Sequence, residues 1–338
     1  MRRMTRTHIP EAVLTAAHDR ARAREARDWA EADRLRGEIE AAGWKIVDRG
    51  TDFALSIAVP PDVAEGELVR YGASTSVPSR ADEPATGLAT VILLATDWPD
   101  DLERAMTGLL AHAPDGTSVV IVADGPTAAQ ATALEALTAA PEPTTAAPET
   151  TTATHLPIET AWTSDRLGHA AATNIGIRRA QAPVVILLDT SLEPTGDFIT
   201  PLVRALDEAS VAVVGGWGIT STDLRRFEDA PTGDVDAIEG YCQAFRRADA
   251  IERGPLDERF RFYRNLDIWW SLVLRDAEEG EPPRRALRLD GLPLARHEHR
   301  GWASLPEDER DRQSRRNFYR IIDRFGSRRD LLVAPGDA

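Results

Sequence analysis

Of the 338 residues, 42% are apolar and 28% charged, and acidic side chains outnumber basic ones 55 to 40, for a net charge of −15. That length fits one large domain with an appendage, and the negative balance excludes broad nucleic-acid affinity for the whole molecule. No stretch approaches the ~18 consecutive apolar residues of a membrane span, the first arginines have no apolar segment behind them and make no secretory signal, and the single cysteine, Cys242, excludes a disulfide framework or a cysteine metal site. A cytoplasmic protein is expected.

Residues 1–49 carry 11 Lys and Arg against 9 Asp and Glu, so this piece presents a different surface from the rest. Val13, Leu14, Ala17, Ala21 and Arg24 step along one face of a helix opened by Pro10 and Glu11, and a second helix runs from Asp28-Trp29 through Ala32, Leu35 and Ile39 until Gly43 stops it. Trp44 to Val47 and Phe53 to Val59 read as two strands across a turn. Together, residues 1–58 are expected to form a helical hairpin with a short β-hairpin. Pro60, Pro61, Gly72, Pro78 and Pro84 among polar residues then read as a linker over 59–86.

From residue 87 the pattern changes to unbroken apolar runs, as buried strands require. Val91 to Ala95 is followed by Trp98-Pro99 and a helix through Leu109 and Leu110; Val119 to Ala123 ends at Asp124-Gly125. The Thr- and Pro-rich stretch 138–157 reads as a disordered surface loop. Residues 170–180 form a helix that Pro183 cannot continue, and Val184 to Leu188 is a central strand ending in Asp189. A carboxylate there lies where an open α/β sheet binds ligands, outside the carboxyl ends of its strands. Farther on, Asp267 follows an aromatic cluster and opens a helix through Arg275 whose tryptophans, Trp269 and Trp270, read as core. RHEHRGW places His297 and His299 two residues apart. A last amphipathic helix turns Phe318, Ile321, Ile322 and Phe325 inward, with Arg315 and Arg316 solvated.

Leu167-Gly168, then Ala172, Asn174, Gly176 and Ala180, then LLDTSLEPTGD, resemble the central motif of family 2 glycosyltransferases of the GT-A fold. The strands ending at Ala95 and Asp124 and the segment from Gly240 to Arg275 extend the resemblance over about residues 87–330, leaving 331–338 as a tail. It implies an α/β open twisted sheet with flanking helices and transfer of a sugar from a nucleotide-diphosphate donor to an acceptor hydroxyl, with inversion. The acceptor would be a glycan, a lipid or a small molecule. Asp124, Arg166, Asn174, Asp189 and Ser191 would meet the donor; Asp189, with His297 and His299, would hold Mn²⁺ or Mg²⁺; Asp267 would be the base. Asp124 also suits a turn before Gly125, and Asp267 a helix start.

Two positions depart from the family pattern. Ser191 stands at the second acidic position of the Asp-X-Asp motif, and Leu266 replaces the acidic neighbour of Asp267, so Asp257 and Glu258 in PLDERF are alternative bases. Two rival readings are a GT-A-like binding protein that has lost catalysis and an RNA-associated protein acting through the N-terminal hairpin. The segment AREARDWAEADRLRGEIEAAGWKIVDRGTDFAL resembles the carboxyl-terminal helical tail of bacterial cysteinyl-tRNA synthetases. That likeness leaves two uses for the hairpin, a packing module or a tRNA contact.

Overall fold

The computed structural model describes residues 9–50, 52–95, 97–138, 156–277 and 281–333, and the chain divides into two compact units, residues 1–61 and 62–338. The first unit holds α1 (Glu11–Glu25) and α2 (Trp29–Ala41), followed by the antiparallel hairpin of β1 (Trp44–Arg49) and β2 (Asp52–Ile57). Asp28 caps α2, accepting the Glu31 N–H at 3.1 Å. Val13, Ala17, Ile39, Trp44 and Ile46 close a small core. Arg20 is buried because both terminal nitrogens reach Asp48, at 2.7 and 3.3 Å. Arg22, Arg24, Arg34 and Arg36 also pair with acidic neighbours, so five of the eight cations among the described residues 9–49 are engaged by carboxylates of the same piece.

The second unit continues with β3 (Val63–Glu65), β4 (Leu68–Tyr71), β5 (Ala89–Ala95), α3 (Pro99–His112), β6 (Thr117–Ala123), α4 (Ala128–Thr138), β7 (Ile158–Thr163), α5 (His169–Arg179), β8 (Val184–Leu188), β9 (Leu192–Pro194) and α6 (Ile199–Ala205). There follow β10 (Val211–Gly215), β11 (Gly218–Ser221), β12 (Phe227–Asp229), β13 (Gly233–Val235), β14 (Ala237–Ile238), β15 (Cys242–Arg246), α7 (Arg247–Arg253), α8 (Leu266–Arg275), β16 (Arg285–Arg288), β17 (Leu294–Arg296), α9 (Arg300–Ala303) and α10 (Glu307–Phe325). Among the described residues ten strands form one sheet in the order β13-β16-β10-β15-β8-β5-β6-β7-β4-β3. β8, β5, β6, β7 and β4 run parallel, and β15 joins antiparallel to β8. This is the α/β open sheet with flanking helices expected from the sequence.

The apolar runs are buried on both faces. In β5, Val91 and Leu93 pack with Met106 and Leu109 of α3, whereas Ile92 packs with Ile175 of α5 and the α8 side of the sheet. Trp269 and Trp270 belong to that second core, and Cys242 is buried.

Two expectations are corrected. The segment read as a linker contributes β3 and β4 to the sheet, and α5 is tied to it by Arg178 Nε and Arg179 Nη1, which donate to the Val77 and Pro78 carbonyls at 3.0 and 2.8 Å. Its prolines flank short edge strands, where missing N–H donors are tolerated. On α10, Ile321 and Phe325 are buried, but Asn317 takes the third buried position and Phe318 and Ile322 are only half-covered. The helix is turned because Asn317 Nδ2 donates to the Phe262 and Arg264 carbonyls, at 2.9 and 2.8 Å. The Thr- and Pro-rich segment lies, apart from its ends, outside the described residues, as does the tail beyond Val333.

Successive connections carry the chain from β5 to β6 to β7 on one side, and then through α5 back to β8 on the other side of β5. The carboxyl ends of β5 and β8 therefore flank the reversal of strand order, the position where open α/β sheets leave a crevice. None of the described helices is long and apolar enough to cross a membrane.

Candidate active site

Asp124, at the end of β6, clamps the loop between β7 and α5. Its two carboxylate oxygens accept the N–H groups of Leu167 and Gly168, at 2.7 and 3.0 Å. Burial pushes its pKa up, partly offset by those donors. Thr163 Oγ1 accepts the Gly125 N–H at 2.8 Å and lies 2.8 Å from the Asp165 carbonyl, locking the same loop. Two glycines make the close packing possible. Gly125 has φ +56, and a Cβ there would stand 2.6 Å from Arg166 N; Gly168, at φ +103, would put one 3.0 Å from Arg261 Cα. Arg166 is exposed, and its Nη2 reaches Asp97 Oδ1, after β5, at 2.6 Å.

Asp189 follows β8 and keeps its carboxylate in a crowded polar pocket. Ser191 N–H donates to Asp189 Oδ1 at 2.8 Å, and His299 Nε2 lies 3.4 Å from Oδ2. The β9–β17 pair makes that approach: Arg296 lies opposite Leu192, and His297 N–H continues the ladder to the Ser191 carbonyl at 2.8 Å. Burial acts to raise the Asp189 pKa, but His299 and Ser191 outweigh it and hold it below the usual carboxylate range. Burial likewise opposes charge on His299, and Asp189 overcomes it, raising the imidazole. Each thus favours the charged form of the other. His169, at the start of α5, lies in the field of both; burial lowers it to about 4, so it is neutral near pH 7.

His297 does not join this group. Its Nε2 is 2.8 Å from Glu193 Oε2, whereas His299 meets Asp189, so the two histidines expected at one metal reach different carboxylates. Ser191 is buried, and its Oγ has no partner in hydrogen-bonding geometry although it is near enough to Asp189 to favour the anion. Among the described residues no three His, Cys, Asp or Glu side chains converge as a self-sufficient metal cluster. One carboxylate, one imidazole and an orphaned hydroxyl fit a small divalent cation that fills its remaining positions with phosphate and water oxygens.

Asp267 lies in the first turn of α8. The Gly240 N–H donates to its Oδ2 at 2.9 Å, and one residue on, the Tyr241 carbonyl accepts the Asp189 N–H at 2.9 Å. One turn thus touches both aspartates. Burial raises the Asp267 pKa against the pull of the Gly240 and helix N–H groups. Glu239, beside the same turn, is raised by burial and then by Asp267. The loop leading into α8 is held by Asn317 and by Asn265 Nδ2, which donates to the Ser314 carbonyl at 3.0 Å.

The alternative bases are otherwise engaged. Arg259 grips both oxygens of Asp257, at 2.9 and 2.9 Å, and lowers its pKa. Glu258 Oε1 accepts from Ser74 Oγ and from Asn174 Nδ2. Asn174 is buried, with its amide on the Leu256 main chain and Glu258.

Sequence reasoning missed Tyr241, Glu239, His169, Asp97 and Arg296. Arg296 had a signal, since it opens the string that contains both histidines; the others gain meaning only from the turn before β15 and from strand order.

Residues 90–264, more than half of the chain, match the glycosyl transferase family 2 profile. The protein belongs to that family and is a glycosyltransferase by fold and sequence. The match takes in Asp124, Arg166, Asn174, Asp189 and Ser191 and stops short of Asp267 and His299. The fold is similar to that of the mannosyltransferase PcManGT from Pyrobaculum calidifontis, solved with GDP-Man and Mn²⁺: TM-score 0.51 and 17% identity over 75% of this chain and 71% of that one. GalNAc-T7, solved with UDP, GalNAc and Mn²⁺, gives TM-score 0.52 and 13% identity over 70% of this chain and 48% of that one, so this chain spans about half its length. No curated protein sequence matches the chain.

Proposed function

We propose that the protein transfers a sugar from a nucleoside-diphosphate donor to an acceptor hydroxyl with inversion, using Asp267 as the base. The observation that carries this reading is the turn at Gly240 and Tyr241, whose N–H bonds to Asp267 and whose carbonyl bonds to the Asp189 N–H, tying the two aspartates to one turn. Asp267 has raised basicity, as a proton acceptor needs. The acceptor oxygen attacks the anomeric carbon from the face opposite the diphosphate. Its proton passes to the Asp267 carboxylate, the bond from carbon to diphosphate oxygen breaks, and its electron pair stays on that oxygen. A single displacement of this kind inverts the centre.

Asp189, His299 and Ser191 Oγ are the residues that would hold a divalent cation, and the similar folds solved with Mn²⁺ are consistent with such an ion. Such an ion, when bound, neutralises charge on the diphosphate. Asp124 serves the donor by shaping the Leu167–Gly168 loop, and Arg166, fixed on Asp97, borders the same crevice. Asn174 supports the site by holding Leu256 and is no donor ligand, since its amide is already engaged. His297 acts on Glu193.

Thermal unfolding with UDP-, GDP- and dTDP-sugars, each with and without Mn²⁺, tests the reading. One donor should raise the midpoint in a metal-dependent way, because a ligand stabilises the state it binds. Absence of any shift, with no donor hydrolysis or transfer, would favour the non-catalytic rival.

A further inference from the structure

Arg296 closes β17, and its register opposite Leu192 brings it to the Asp189 end of the sheet. Its Nη2 donates to the Tyr241 hydroxyl at 2.5 Å, and its Cζ lies 4.0 Å from the centre of that ring. A planar cation is thereby held against a half-buried aromatic surface. Three other arginines are spent on carboxylates, Arg166 on Asp97, Arg300 near Asp101 and Arg259 on Asp257, and Arg261 reaches the Leu167 carbonyl. Arg296 forms no ion pair among the described residues. Its charge is oriented by Tyr241 and acts on Glu239 from beyond ion-pair distance.

Tyr241 links this cation to the rest of the site. Its carbonyl takes the Asp189 N–H, and its phenol lies in the field of Arg296, Glu239, Asp189 and Asp267 together. At the same place the chain carries Ser191, with a buried unpartnered Oγ, where the family motif has its second carboxylate. The site therefore has one anion fewer for holding a metal and one exposed guanidinium held beside it by Tyr241.

On the donor reading given above, we propose that Arg296 is the protein's own cation for the diphosphate of a nucleoside-diphosphate ligand. The guanidinium edge left free by Tyr241 presents parallel N–H groups that match two phosphate oxygens. As the bond to the sugar breaks, its electron pair moves onto the diphosphate, and a fixed cation beside that oxygen stabilises the products of cleavage more than the intact donor. Tyr241 is the positioning residue: it sets the plane of the guanidinium without touching the ligand.

Titration calorimetry with UDP and GDP, in Mn²⁺ and in EDTA, tests this on the full chain. The wild type should bind one nucleotide best with Mn²⁺ and retain weaker binding in EDTA. Arg296→Met should weaken binding ~10- to 100-fold with Mn²⁺, the scale of hydrogen bonds to a charged group, and abolish it in EDTA. Arg296→Lys should recover part of the affinity, and Tyr241→Phe should fall between wild type and Arg296→Met, which keeps the test valid if one variant folds poorly. Unchanged nucleotide affinity in Arg296→Met would overturn the proposal alone. So would a defect confined to the pH profile of turnover, because that would assign Arg296 to the Glu239 and Asp267 carboxylates. A wild type that binds neither nucleotide in either condition would overturn the donor reading itself, and this proposal with it.

Discussion

The side chain of Asn174 and the main chain of Leu256 exchange two hydrogen bonds, Nδ2 to the Leu256 carbonyl at 3.0 Å and the Leu256 N–H to Oδ1 at 2.8 Å. This pairing fastens α5 to the segment that leads into the Asp267 loop. Asn174→Ala leaves both Leu256 groups buried and unpaired, so we expect a loss of about 2–3 kcal/mol in urea denaturation. Nucleotide affinity lost with unchanged stability would instead make Asn174 a ligand.

Asp267→Asn keeps the size of the side chain but removes its charge. Donor binding should persist while transfer falls by ~10² or more. Near-normal turnover in this variant, with collapse in Asp257→Asn or Glu258→Gln, would move the base to the PLDERF segment.

The same residue sets a pH dependence. Asp267 must be ionised to accept a proton, and burial raises its pKa. The transfer rate should therefore climb with pH through a value above the ordinary carboxylate range and fall off below it. A rate profile flat across that range would contradict the assignment.

Asp189→Ala should abolish Mn²⁺-dependent nucleotide binding and leave the fold intact, since the residue stands just past the end of β8 and outside the apolar core. Ser191→Asp should hold or strengthen metal affinity, measured by Mn²⁺ titration. A large loss in the second variant would show that Ser191 Oγ does not face the ion.

Truncation separates the two units. A chain starting at Asp62 should fold and keep donor binding, because its sheet is complete. A chain starting at Thr86 lacks β3 and β4, exposes the edge of β7 and strips Arg178 and Arg179 of their carbonyl partners. It should aggregate or unfold at lower temperature. Equal stability of the two truncated chains would mean that β4 is dispensable.

The central strands were legible because Val91–Ala95, Val119–Ala123 and Val184–Leu188 are apolar without alternation, a pattern that only burial on both faces explains. The strand-end aspartates followed from where those runs stop. β3 and β4 were missed because three- and four-residue edge strands among prolines carry too little periodicity to register. The split between His297 and His299 was invisible for another reason: sequence spacing says which way an extended chain points, but the turn into α9 and the β9–β17 register decide which carboxylate each ring meets. Asn317 on the inner face of α10 likewise broke a purely apolar reading, since its burial depends on carbonyls of a loop far away in sequence.

The pairing of β17 with β9 has a consequence for how the protein matures. Asp189 emerges from the ribosome long before its partner His299, and β5 to β8 have most of their partners by then. The parallel half of the sheet can therefore organise early, while the Asp189–His299 contact waits for a long-range closure with a segment made later, a kind of contact that slows folding. Nascent chains arrested before β17 should bury their strands and yet lack His299 beside Asp189, so the capacity to grip a donor would report that β17 and the residues after it have been made.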